Sequence, residues 1–140
     1  MPTMIRRTTH DLVADFMTID PVVIEPDARI EHAERLLERY DISGLPVVDA
    51  EGRLCGVISQ SDLLRGTGDV NAAIRHRFTG LRVADLMTSP AITVDLEMSL
   101  VDAARLMRDE KVHRVVAVDA RGRAVGVLSS MDFVTLYAEG

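Results

Sequence analysis

Val13-Ala14-Asp15-Phe16-Met17-Thr18 is answered 70 positions later by Val83-Ala84-Asp85-Leu86-Met87-Thr88. The agreement continues at the same offset. Ala33, Arg35 and Leu36 meet Ala103, Arg105 and Leu106. Val48-Asp49-Ala50-Glu51-Gly52-Arg53 meets Val118-Asp119-Ala120-Arg121-Gly122-Arg123, and Gly56-Val57-Ile58-Ser59 with Asp62 meets Gly126-Val127-Leu128-Ser129 with Asp132. The chain is therefore two copies of one unit. Its period is longer than that of solenoid arrays, and two copies cannot build one.

Both copies carry the same order of local signals. A short helical turn holds Val-Ala-Asp-x-Met. An extended stretch follows, Pro21-Val22-Val23-Ile24 or Pro90-Ala91-Ile92-Thr93-Val94. Ile30, Ala33, Leu36, Leu37 and Tyr40, like Leu100, Ala103, Ala104, Leu106 and Met107, repeat at the spacing of a helix with one buried face. Asp27 and Ser99 stand near the expected starts, where they could cap free amides. Strands are expected at Leu45–Val48 and Val115–Val118, then turns at Asp49–Gly52 and Asp119–Gly122, where glycine tolerates positive φ. A third strand ends at Ser59 or Ser129, and a second helix begins near Asp62 or Asp132. Between the copies, 67–81 reads as a turn and a short helical connector.

In 140 residues, 47% are apolar and 27% charged, which is enough for one core and excludes a disordered or collagen-like chain. Aromatics are 4% with no Trp, so aliphatic residues and Met must fill the interior. Sixteen basic against 22 acidic residues leave a net charge of −6, which argues against a broad nucleic-acid footprint. A small anion needs only a local cluster of cations. The single cysteine, Cys55, cannot form an internal disulfide. The opening Met1–Arg7 lacks the apolar run of a secretory signal, and no apolar stretch approaches the roughly 18 residues of a membrane span. A soluble, cytoplasmic protein is expected. Each copy is too small to bury a core well alone, so the copies are expected to pack face to face about a pseudo-twofold axis.

The ordered set VADFMT, PVVI, a helix, ISGLPVVD, a glycine turn and GVISQSDLL resembles the CBS domain, the family named after cystathionine β-synthase, and both copies match. The resemblance implies an α/β (α+β) fold of tandem β-α-β-β-α repeats. It divides the chain into an N-terminal segment 1–12, a first repeat 13–66, a connector 67–81 and a second repeat 82–138. It also implies a regulatory module whose inter-repeat cleft takes AMP, ADP, ATP or S-adenosylmethionine, with no obligatory cofactor. Such modules often form homodimers shaped as a flat disc. Output would pass in trans to an unknown regulated protein, with neither nucleic acid nor membrane as partner.

The family's nucleotide signature, a Ser or Thr followed three positions later by Asp, falls on Ser59 and Asp62 and on Ser129 and Asp132. A carboxylate can accept hydrogen bonds from both ribose hydroxyls, and the nearby helix start offers free amides to a phosphate. The same spacing is also a helix-capping box. Val112-His113-Arg114 carries the family's basic pair, a forked guanidinium with a second donor suited to phosphate. Its first-copy counterpart, Ile42-Ser43-Gly44, offers no charge, so two unequal sites are expected. An adenine wall would come from Val22, Ile24, Ala33 and Leu54 of one copy and Ile92, Ala103 and Val112 of the other, most of them reading first as ordinary core, with Val57 and Val127 as further candidate ligand-binding positions.

No catalytic or metal-ligand constellation stands out. His10, His32, His76 and His113 are scattered, and Cys55 sits in an apolar strand. Gly66-Thr67-Gly68 lacks the residues of either phosphate-loop fingerprint, and Arg75-His76-Arg77 reads as a solvated face. Two functions remain: a nucleotide sensor and a ligand-free interaction or oligomerisation module. An enzyme has no supporting residues.

Overall fold

The computed structural model describes residues 11–67, 80–130 and 132–133, so the expected connector, His10, His76 and Arg75–Arg77 lie outside the described residues. The chain divides into two compact units. The first unit is Val22–Ala91 and the second joins Met1–Pro21 to Ile92–Gly140. These bounds differ from the sequence repeats. The Val-Ala-Asp-x-Met segment that opens each copy folds into the unit built from the other copy.

The backbone shows why. Helix α1 (Val13–Phe16) starts with Asp15 Oδ2 accepting the Leu12 amide at 3.3 Å. Its first amides then donate to carbonyls ahead of the second copy's long helix: Val13 to Met98 at 2.8 Å and Ala14 to Leu96 at 3.1 Å. Strand β1 (Thr18–Ile19) follows in the same unit. Helix α4 (Val83–Leu86) repeats this in the first unit. Asp85 accepts the Arg82 amide at 2.7 Å, and Val83 and Ala84 donate to Ala28 and Pro26, both at 2.8 Å. Val13 and Val83 are fully buried, which makes each short helix a plug in a ready-made socket.

The first unit holds helix α2 (Ile30–Arg39), strands β2 (Gly44–Val48) and β3 (Leu54–Ser59), and helix α3 (Gln60–Thr67). β2 and β3 form an antiparallel hairpin. The expected strand at Pro21–Ile24 contracts to one parallel bridge, Ile24 with Val47. In the second unit, strand β4 (Thr93–Asp95), helix α5 (Leu100–Glu110), and strands β5 (Arg114–Val118) and β6 (Ala124–Ser129) build a sheet in the order β1-β6-β5-β4. β4 runs parallel to β5, and the other neighbours are antiparallel.

Each hairpin turn is held by one aspartate. Asp49 Oδ1 accepts the amides of Glu51 and Arg53, both at 2.9 Å, and Asp119 does the same for Arg121 and Arg123. Gly52 and Gly122 take φ of 83° and 80°, where a side chain would be strained.

Packing follows the helical spacing. Ile30, Ala33 and Leu37 of α2 close on Leu45, Val47 and Ile58. Leu100, Ala103 and Met107 of α5 close on Val115, Ala117 and Leu128. Each large aliphatic side chain so buried contributes about 1.5–3 kcal/mol. Two helix-end expectations are corrected. Ser99 caps α5, accepting the Asp102 amide at 3.1 Å, but α2 starts from Arg29 rather than Asp27 and has no side-chain cap. Tyr40, expected on the apolar face, lies past the last turn of α2 and is 49% exposed.

Candidate functional site

In each unit the antiparallel ladder brings the predicted residues to one end of the sheet. Gly44 is opposite Ser59, and Arg114 is opposite Ser129. The next amides close the corner: Gln60 donates to the Ser43 carbonyl at 3.0 Å, and Ser130 to the His113 carbonyl at 2.8 Å. The Ser-x-x-Asp signature thus meets Ser43-Gly44 in the first unit and His113-Arg114 in the second.

The two signatures are occupied differently. Asp62 is 3% exposed. Its Oδ2 accepts the Ser59 amide and the Ser59 hydroxyl, both at 2.9 Å, while the hydroxyl receives the Asp62 amide at 3.1 Å. That is a complete capping box. Its Oδ1 accepts the Thr88 hydroxyl at 2.9 Å and the Arg65 guanidinium. Asp132 is half-buried. Its Oδ2 accepts the Ser129 amide at 2.7 Å and the hydroxyl at 3.3 Å. Among the described residues no donor reaches its Oδ1, and Thr18, the counterpart of Thr88, makes no bond to it.

Arg114 is the first residue of β5, and His113 lies in the bend just before it. Neighbouring strand residues point to opposite faces. Val115, Ala117 and Leu128 face α5 and the core, so Arg114, Val116, Val127 and Ser129 share the opposite face. Arg114 is half-buried there, and desolvation pulls its guanidinium below the ordinary value while leaving it charged. Exposed His113 instead borders a cleft of about 420 Å³ on the helix side, with Met107, Val112, Ser130 and Phe133.

Of the expected apolar wall, Ile24 is 4% exposed, and Ala33 and Ala103 are fully buried in the cores. Val22, Leu54, Val57, Ile92, Val112 and Val127 are half-buried. Cys55 is also half-buried, and desolvation with nearby Asp49 pushes its thiol up, away from reactive thiolate. Among the described residues no group of His, Cys, Asp or Glu could hold a metal ion, and no helix is long and apolar enough to cross a membrane.

Thr88 and Arg65 were not legible as partners of Asp62. Nothing local marks Thr88, 26 positions away, although its place in the repeated Met-Thr pair was a usable signal.

Paired α+β units with a Ser-x-x-Asp box at the end of each hairpin define a class, and comparison agrees. The CBS domain family matches residues 13–68 and 83–139, and the chain belongs to that family. Inosine-5'-monophosphate dehydrogenase of Mycobacterium tuberculosis is 37% identical over 119 residues, which are 84% of this chain and 21% of that enzyme. The Bifidobacterium longum enzyme is 32% identical over the same shares. The chain thus spans about a fifth of these relatives. Among solved structures, the CBS-pair protein CBSX2 from Arabidopsis thaliana is 34% identical with a TM-score of 0.82, over 94% of this chain and 96% of that one. A CBSX2 structure in complex with AMP has a TM-score of 0.80 at 34% identity, covering 92% and 97%. The CBS domain pair of MJ0100, solved with 5'-methylthioadenosine and S-adenosylmethionine, has a TM-score of 0.79 at 25% identity, covering 91% and 96%.

Proposed function

We propose that this chain is a regulatory module that binds an adenosine-containing nucleotide and passes the signal in trans to a partner protein. The observation that carries the reading lies in the second unit. There the ladder sets Arg114 beside Ser129, whose box holds Asp132 through Oδ2, with no donor among the described residues on its Oδ1. Asp132 accepts ribose hydroxyls and Ser129 adds a hydroxyl contact. Arg114, already partly desolvated, takes the phosphate at less additional cost than a fully hydrated cation. Half-buried Val127 shares that face and supplies apolar surface for the base.

The first unit supports a lesser role. Both oxygens of Asp62 are engaged, and Ser43 and Gly44 bring no charge. Ribose there would have to displace Thr88 or Arg65. This occupied box also favours the second reading, a module that uses one signature purely as structure and works by protein contact. AMP, ADP and ATP fit the cation better than ligands lacking phosphate. Calorimetric titration with AMP, ADP, ATP and S-adenosylmethionine separates the readings. The sensor requires saturable binding of at least one phosphate-bearing ligand at micromolar to roughly millimolar affinity. Heat-free titrations with all four leave only the interaction module.

A further inference from the structure

The cleft of about 420 Å³ in the second unit has a built floor and a basic rim. Its volume falls among those of small-molecule sites, about 300–1,000 Å³. Arg114, Val127 and Ser129, the residues of the nucleotide reading, do not line it. The floor is buried Met107 with half-buried Val112 and Phe133, all packed into the second unit's core. The rim carries Arg108, Lys111 and His113, all exposed, from the end of α5 and the bend before β5.

Backbone bonds fix this rim. Lys111 is the C-cap of α5 at φ 56°, and the next amide, Val112, donates to the Met107 carbonyl at 3.0 Å. The Ser130 amide donates to the His113 carbonyl at 2.8 Å and holds the opposite wall. Arg108 pairs with Asp109, its exposed neighbour, at 3.1 Å, a contact that a stronger anion can displace at little cost.

The first copy supplies the contrast. At the same offset of 70 its floor is Leu37, Ile42 and Leu63, while its rim is Glu38, Asp41 and Ser43. Asp41 keeps the backbone of Lys111, at φ 52°. A helix C-terminus favours a cation, yet α2 ends on acids, so the helix itself does not dictate the charge at this rim. One of the chain's three Phe residues lies on the basic cleft's floor, where the first copy has Leu.

Two cations and an imidazole above a Met and Phe floor suit a ligand with two parts. An anionic head group meets the rim, and a flat apolar body lies on the floor. We propose that this cleft binds a small aromatic anion, a carboxylate or phosphate borne on a ring, and that the acidic rim of the first unit rejects the same ligand. This does not depend on the nucleotide reading.

Amide NMR titration of the full chain tests it. Phenyl phosphate and benzoate, titrated separately, distinguish the two head groups. At least one is expected to shift the Lys111, Val112, His113 and Ser130 amides saturably, at roughly millimolar affinity or tighter. The Asp41, Ile42 and Ser43 amides should stay in place. Inorganic phosphate, which lacks the ring, and benzyl alcohol, which lacks the charge, should each bind at least about tenfold more weakly. R108Q/K111N removes both cations while Asn suits the left-handed backbone, and should weaken binding at least about tenfold with the melting curve unchanged. Excess ATP should leave the shifts intact. The proposal is overturned by no saturable shift with either aromatic anion, by inorganic phosphate or benzyl alcohol binding as well, by equal shifts in the first unit, or by full affinity in R108Q/K111N. Displacement by ATP also overturns it, because the cleft would then be an arm of the nucleotide site.

Discussion

Thr88 donates its hydroxyl to the buried carboxylate of Asp62 at 2.9 Å, tying the segment after α4 to the start of α3. Asp62 closes its own helix cap with one oxygen and reaches this distant segment with the other. The opening segment of the second copy is thereby fastened to the first unit. The same aspartate that resembles a ribose ligand acts here as a structural tie.

Replacing Thr88 with Val keeps the shape and removes the donor. Asp62 is 3% exposed, so its loss is not made good by water. The expected destabilisation is about 1–3 kcal/mol, read from urea denaturation with an unchanged m-value. A change within experimental error would mean that the bond contributes nothing and that Arg65 alone serves Asp62 Oδ1.

Gly56 lies under the same segment. A Cβ there would sit 2.6 Å from the Thr88 carbonyl oxygen and 3.1 Å from the Met87 sulfur. Backbone cannot yield as a flexible side chain can. Gly56→Ala is therefore expected to cost about 1–3 kcal/mol. At Gly126 the nearest atom is the Met17 sulfur, so Gly126→Ala should be partly rescued by Met17→Ala, whereas Gly56→Ala should not be rescued by Met87→Ala. Equal rescue at both sites would refute the distinction.

The Asp119 turn gives a pH signature. The Arg123 amide foremost, together with the Arg123 guanidinium and the Arg121 amide, holds the half-buried Asp119 carboxyl below its ordinary value of 3.8. A depressed folded-state value stabilises the fold above the ordinary value and loses that stabilisation as pH falls through the depressed one. Carboxyl-detected NMR titration should place the Asp119 midpoint under 3.8, and Asp119→Asn should flatten the stability profile at acid pH. A midpoint at or above 3.8 contradicts this account.

The fold was legible because the cues are local and doubled. Helical spacing in Ile30–Leu37 and Leu100–Met107, glycine turns at Gly52 and Gly122, and the repeat itself all point one way. What the sequence hid depends on three-dimensional partnership. The exchange of the Val-Ala-Asp segments between units is set by the Met98, Leu96, Ala28 and Pro26 carbonyls, which carry no sequence mark. The signature residues were found at their positions, but the difference between Asp62 and Asp132 rests on Thr88 and Arg65.

The central claim is that the second unit holds the nucleotide and that Asp62 is chiefly structural. Titrating ATP into the wild type, Asp132→Asn, Arg114→Ala and Asp62→Asn, each confirmed folded, tests it most directly. The account predicts that Asp132→Asn and Arg114→Ala each weaken binding at least about tenfold, the loss of one charge-assisted contact. Asp62→Asn should lower the melting temperature yet leave affinity within about threefold, less than one such contact. Affinity lost in Asp62→Asn and kept in the other two would contradict it.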